Sequence, residues 1–128
     1  MFTNTRTNTE QGNIGEAKAI YELTVRGYGV SRTLFDSDKY DLIVDDGNNL
    51  YKVQVRTTRF KNNRGVYEAS LKTTGGNTKK NTTTPRQDSD YDYLFVCADN
   101  GQCWFIPARL LGKMSVVLGP KWDNYLIT

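Results

Sequence analysis

The stretch spanning residues 40–57 restricts the fold more than any other part of the chain. Two runs rich in β-branched and aromatic residues, 40–45 and 50–57, flank Asp46-Gly47-Asn48-Asn49. Gly and Asn suit the backbone angles of tight reversals, so this pattern predicts an antiparallel hairpin. With the reversal centred between Gly47 and Asn48, Asp41 faces Gln54 and Asp45 faces Leu50, with opposed Cβ atoms ~5 Å apart. Side chains alternate along a strand. One face then carries Asp41, Gln54, Arg56 and Lys52, together with Ile43 and Leu50. The other carries Leu42, Val44, Val53 and Val55, a surface suited to a core.

The remaining chain supplies layers for this hairpin. Residues 9–26 read as a helix, with Thr9 or Asn8 as cap and Gly27 as the C′ stop. Gly12 and Gly15 weaken its first turns. Glu16, Ile20 and Leu23 share one helical face at ~100° per residue, which places a carboxylate on the core-facing side. Residues 30–35 and 68–73 read as strands, 74–90 as a polar loop, and 91–98 with 102–106 as a second hairpin. Pro107 opens a short helix through Leu111. Val116, Leu118 and Trp122 predict a tail that docks. The order is helix, run of strands, short helix: α/β in class with α+β order, a mixed β-sheet flanked by helices. Residues 1–128 suit one domain.

Composition removes several chemistries. The chain has no histidine, which excludes Ser-His-Asp and Cys-His catalysis and His-based metal sites. Any enzyme here works with carboxylates, amides and Lys/Arg. The two cysteines, Cys97 and Cys103, flank Asn100-Gly101. A two-residue turn pairs Cys97 with Trp104 and points the thiols to opposite faces, which disfavours a disulfide. No apolar run approaches the ~18 residues of a membrane span, and residues 1–12 lack the apolar centre of a secretory signal. The expected location is cytoplasmic, with no membrane partner.

The polar face of the first hairpin admits two readings. Buried charge is costly unless paired or metal-bound. Asp41, Gln54 and the helical Glu16 offer oxygen ligands suited to Mg²⁺ (or Mn²⁺). The alternative is structural: an Asp41–Arg56 or Glu16–Arg56 ion pair beside a hydrogen-bonded Gln54.

Gly15-Glu16, then Tyr40-Asp41-Leu42-Ile43-Val44, then Val53-Gln54-Val55-Arg56-Thr57-Thr58 resembles the PD-(D/E)XK nuclease superfamily. Within it, the chain is similar to the small branch containing a cyanobacterial group I intron homing endonuclease, whose third motif begins with Gln. Tyr91-Asp92-Tyr93-Leu94-Phe95-Val96 and Trp104-Phe105-Ile106-Pro107 extend the similarity, which covers roughly residues 12–110. The resemblance implies a restriction-endonuclease-like core and Mg²⁺-dependent hydrolysis of DNA phosphodiesters. Its catalytic residues would be Glu16, Asp41, Gln54 and Arg56. Its metal ligands would be Asp41, Gln54, the Val55 carbonyl and Glu16. It also implies a bacterial protein, or a phage protein in the host cytoplasm. One residue departs from the pattern: the third motif ends in Lys, and here Arg56 stands in its place. Arg keeps the charge and binds phosphate bidentately, but it does not deprotonate. Lys52, one pleat away on the same face, is a candidate substitute.

The balance of 17 basic against 14 acidic residues is mild, so distribution carries the argument. Arg59, Lys61 and Arg64 follow the central strand. Lys72, Lys79, Lys80 and Arg86 lie in or near the polar loop. These residues suit either phosphate contact or a solvated loop; the resemblance favours double-stranded or branched DNA. A long target implies a homodimer or homotetramer. Two alternatives share the core: a Holliday-junction-resolvase-like nuclease, and a catalytically inactive DNA-binding or assembly protein.

Overall fold

A computed structural model describes residues 1–35, 39–75 and 82–128. Helix α1 (Asn8–Val25) opens the fold. Its N-cap is Thr7, one residue before the expected pair, with the Thr7 hydroxyl accepting the Glu10 N–H. At its other end, Gly27 takes φ 93°. The Tyr28 N–H donates to Leu23 and the Gly27 N–H to Thr24, a Schellman closure that requires the missing side chain.

A five-stranded sheet follows in the spatial order β1 (Gly29–Arg32), β2 (Leu42–Asp45), β3 (Leu50–Thr58), β7 (Tyr93–Ala98), β8 (Cys103–Pro107). β3 and β7 run parallel and the other pairs antiparallel, so the sheet is mixed. β1 stops at Arg32, short of the expected 30–35, and Leu34 (86% exposed) and Phe35 (70% exposed) face solvent. The β2–β3 register matches the sequence expectation, with Leu42 opposite Val53 and Asp45 opposite Leu50. Gly47 (φ 97°) alone takes the positive angle in this turn, as a II′ reversal requires.

Both faces of the sheet are covered. Ala19 and Leu23 of α1 pack with Phe2, Leu42, Val44, Val53 and Phe95 on one face. On the other, Leu94, Val96 and Ile106 meet Ala69, Leu71, Val116, Leu118 and Trp122. That second layer is built on the two-stranded pair of β4 (Glu68–Ser70) and β9 (Ser115–Val117), so the tail docks as expected. The expected polar loop contains a further antiparallel pair, β5 (Thr73–Gly75) with β6 (Thr82–Thr84). The expected short helix is a single 3-10 turn, Ala108–Leu110. A second 3-10 segment, Pro120–Tyr125, carries Trp122 into the core.

The expected facing of the two thiols is overturned, although both cysteines are free and buried. Cys97 pairs directly with Cys103, and their sulfurs lie 2.8 Å apart on one face. Gly101 (φ 91°) donates its N–H to Ala98 and Ala98 donates to Gln102, so the loop has three residues rather than two. Asn-Gly serves either loop, and the extra residue moves the register by one.

Candidate active site

The site is centred on Val55, where β3 continues past the start of β2. Along β3 the odd-numbered residues direct their peptide groups toward β2, because Lys52 exchanges its bonds with Asp92 beside β7. Regular pairing with β2 ends at Leu42. The Asp41 N–H also donates to the Val53 carbonyl (2.9 Å), so Asp41 and Leu42 both oppose Val53. This is a one-residue bulge, and bulges re-aim the side chain they carry. Here the Asp41 carboxylate swings into line with the sheet and accepts the Val55 N–H at 2.8 Å. The straight register expected at Asp41 is therefore corrected by one residue.

The Val55 N–H and C=O lie on the same side of the strand, so its carbonyl opens into the gap beyond β2. Gln54, half-buried, directs its amide Nε2 at that carbonyl, 3.5 Å away. Asp41 and Gln54 thus address the two backbone groups of Val55, its N–H and its C=O. The donor set is a carboxylate, an amide oxygen and a backbone carbonyl, all hard oxygens of the kind a divalent cation takes with several waters. Among the described residues no cluster of three or more His, Cys, Asp or Glu is placed to hold a metal ion.

Glu16, the second acid expected at the site, lies on α1 directly after Gly15. Gly15 lies against β3: a methyl there would fall inside the van der Waals surface of Thr57 Cγ2 and 3.6 Å from Val55 Cγ1. The absent side chain lets α1 approach β3 at Thr57 and Val55. The Glu16 carboxylate, 24% exposed, binds Arg32 Nε at 2.6 Å. Arg32 is paired with Leu42, the neighbour of Asp41. Glu16 therefore stands over the same end of the sheet with its charge balanced by Arg32. The buried acid of α1 is instead Glu22, tied to Arg26 (2.6 Å) and Lys18 (3.2 Å). Sequence reasoning did not single out Arg32 or Glu22. The i,i+4 spacing of Lys18, Glu22 and Arg26 was a readable signal for the latter.

Arg56 lies on the Gln54 side of the sheet. Its Nη2 donates to the Lys72 carbonyl at 3.3 Å, and its Nε is buried without a partner. Neither structural ion pair weighed for Arg56 forms among the described residues. Lys52 is engaged elsewhere, donating to the Ser89 carbonyl (3.1 Å) with Tyr40 beneath it.

The basic residues divide. Arg59 donates to the Phe2 carbonyl and to Thr5 Oγ1 (2.6 Å) and stacks on Phe2, which anchors the N-terminal segment. Lys61 is exposed over the Tyr67 ring (4.9 Å), and Arg64 is exposed. Lys72 lines an open cleft of about 560 Å³ with Gln11, Thr57, Thr58 and Glu68. Gln11 crosses from α1 to Thr57 Oγ1 at 2.8 Å. Arg86, expected in the polar loop, is fully buried. It donates to the Leu111 (3.3 Å) and Gly112 (3.1 Å) carbonyls and stacks on Tyr91. Lys79 and Lys80 lie outside the described residues.

Residues 6–121 fit the model of the PD-(D/E)XK endonuclease. The chain belongs to this family. Its fold is similar to that of a bacterial homing endonuclease, I-Ssp6803I, with a TM-score of 0.81 at 22% identity over 94% of this chain and 89% of that one. It is also similar to the Holliday junction resolvase Hjc of Archaeoglobus fulgidus, with a TM-score of 0.54 at 11% identity over 84% of each chain. No curated protein matches the sequence. Among the described residues no helix is long and apolar enough to cross a membrane.

Proposed function

We propose that this member of the PD-(D/E)XK family is a divalent-metal-dependent endonuclease that hydrolyses phosphodiester bonds of double-stranded DNA. The carrying observation is the convergence of Asp41 and Gln54 on the backbone N–H and C=O of Val55 at the open end of β2. Asp41, Gln54 Oε1 and the Val55 carbonyl would hold Mg²⁺ (or Mn²⁺). When bound, the ion would supply Lewis-acid stabilisation of phosphate charge and a more acidic water.

The chain's own groups do the remainder. The Val55 N–H fixes Asp41 in one orientation, so the ligand carboxylate is set before substrate arrives. Glu16 acts from α1; approach of a phosphate draws Arg32 away from it and frees an acid to orient water. Arg56 holds phosphate charge as a fixed planar cation and takes no part in proton transfer. Lys61, Arg64 and Lys72 contact the DNA backbone, whereas Arg59 acts indirectly through the N-terminal segment. A homodimer or homotetramer would extend the contact along a long site.

Nicking of supercoiled plasmid tests the site. The expected result is Mg²⁺-dependent cleavage that falls at least ~10²-fold in Asp41→Ala, the scale of losing a charge-stabilising group. Undiminished cleavage by Asp41→Ala refutes the assignment. A second reading, a non-cleaving DNA-binding protein of this fold, rests on Arg56 being held by the Lys72 carbonyl. Cleavage that emerges only in Arg56→Lys favours that reading. A preference for four-way junctions over linear duplex would favour the resolvase-like alternative.

A further inference from the structure

Two nucleophiles lie outside the site. Cys97 and Cys103 are both fully buried and belong to adjacent strands of one hairpin. The pair is of the closer kind found in antiparallel sheets. The Cys103 N–H donates to the Thr128 carbonyl and its own carbonyl accepts the Ile127 N–H, at 2.9 and 2.8 Å. Both Cys103 peptide groups therefore point away from Cys97. Such a non-hydrogen-bonded pair has Cα atoms ~4.5 Å apart, inside the ~4.4–6.8 Å span that a disulfide bridges. The sulfurs already touch at 2.8 Å.

Their surroundings divide the pair into unequal halves. The sulfur–sulfur contact and burial push the Cys97 thiol up. The same contact holds Cys103 below its ordinary value, with Lys18 adding to that effect while burial and Glu22 oppose it. Cys103 lies in the core beneath Ala19 and Leu23 of α1, and its backbone is covered at the sheet edge by the last residues of the chain. Residues 126–128 lie on β8 through the bonds to Cys103 and a bridge from Leu126 to Trp104, and Arg26 ties the Ile127 carbonyl at 2.5 Å. Reaction with a reagent requires local opening of this cover, of which residues 126–128 form the edge.

We propose that Cys97 and Cys103 form a reversible disulfide site, closed by exchange with a small-molecule disulfide. The Cys103 thiolate attacks one sulfur of the reagent and releases one thiol. Cys97 then attacks the Cys103 sulfur of the mixed disulfide, loses its proton, and expels the second thiol. The pair is oxidised by two electrons while one small disulfide is reduced to two thiols. The closed bond joins β7 to β8 at a position where the backbone already fits it. This inference is independent of the nuclease reading.

Oxidised glutathione, applied to the folded chain and followed by intact mass and iodoacetamide labelling after unfolding, tests it. The expected product has lost two hydrogen atoms, runs as one chain, takes no iodoacetamide, and regains both alkylatable thiols in dithiothreitol. Cys97→Ser should stop at the glutathione adduct, and Cys103→Ser should react far more slowly. The wild-type measurement decides the matter even if a variant fails to fold. Two free thiols after oxidant treatment of the native chain overturn the proposal. So does a stable mixed adduct in the wild type, or covalent dimers in place of the internal bond.

Discussion

At Gly15 a single absent methyl positions an acid. The residue contacts Thr57 so closely that any Cβ would collide with Thr57 Cγ2, and Gln11 fixes the Thr57 hydroxyl against rotation. Gly15→Ala is therefore expected to cost about 1–3 kcal/mol, the range of overpacking, despite the gain in helix propensity. Thr57→Ala should restore much of that loss, because it removes the methyl in the way. Urea denaturation of the two single variants and the double variant measures the coupling. Strictly additive losses would show that α1 and β3 do not meet here. The sequence made Gly15 look like a helix weakener; its contact with β3 depends on a residue 42 positions later and is invisible until both elements are placed. The approach of Asp41 to β3 was legible only in part, because the hairpin turn sets the register as far as Leu42 and the bulge then shifts Asp41 by one residue. The Glu16–Arg32 pair and the Arg56–Lys72 bond were not legible, since each joins elements whose docking no local pattern records.

At the scale of elements, α1 is held by ends and charges as much as by an apolar stripe. Glu22 is buried between Lys18 and Arg26, and the Arg26 guanidinium also holds the last residues of the chain against the sheet. Burial pushes the Glu22 carboxyl up, but hydrogen bonds from Arg26 and Lys18 outweigh it and leave the group below the ordinary carboxylate range. A depressed folded value means that the unfolded chain takes up the proton first. The stabilisation is thus complete above the ordinary carboxylate value and fades as pH falls through the lower folded value. The stability gap between wild type and Glu22→Gln should accordingly be wide near neutrality and narrow in acid, as urea midpoints at the two pH values will show. A gap independent of pH would mean that Glu22 is not titrating in this environment. The hairpins show where element-level reading succeeds and fails. Gly47 sits in a two-residue reversal whose flanking alternation allows one register only. Asn100-Gly101 suits both a two-residue turn and a longer loop with a bulged glycine, and the apolar residues on both faces of β7 and β8 gave no alternation to choose between them.

Across the whole molecule, β3 and β7 form the wall between two cores. Leu94, Val96 and Ala98 face one and Phe95 and Cys97 face the other, so neither core can lose β7 and survive. The two tryptophans, Trp104 and Trp122, both report on the layer built by β4 and β9, whereas α1 belongs to the opposite layer. If the shared wall couples them, tryptophan fluorescence and far-ultraviolet dichroism should trace one common unfolding transition. Fluorescence change well ahead of helix loss would instead mark two separately melting units. Arg86 sharpens the test, because it is buried wholly within the tryptophan layer and ties residue 86 to the carbonyls of Leu111 and Gly112. Arg86→Met leaves those carbonyls without a donor and should cost about 3 kcal/mol, more than the retained packing returns. In a coupled molecule that loss lowers the midpoint seen by both probes equally, by roughly ten degrees for a chain of this size. A drop confined to fluorescence would assign Arg86 to a local clasp and break the coupling between the layers.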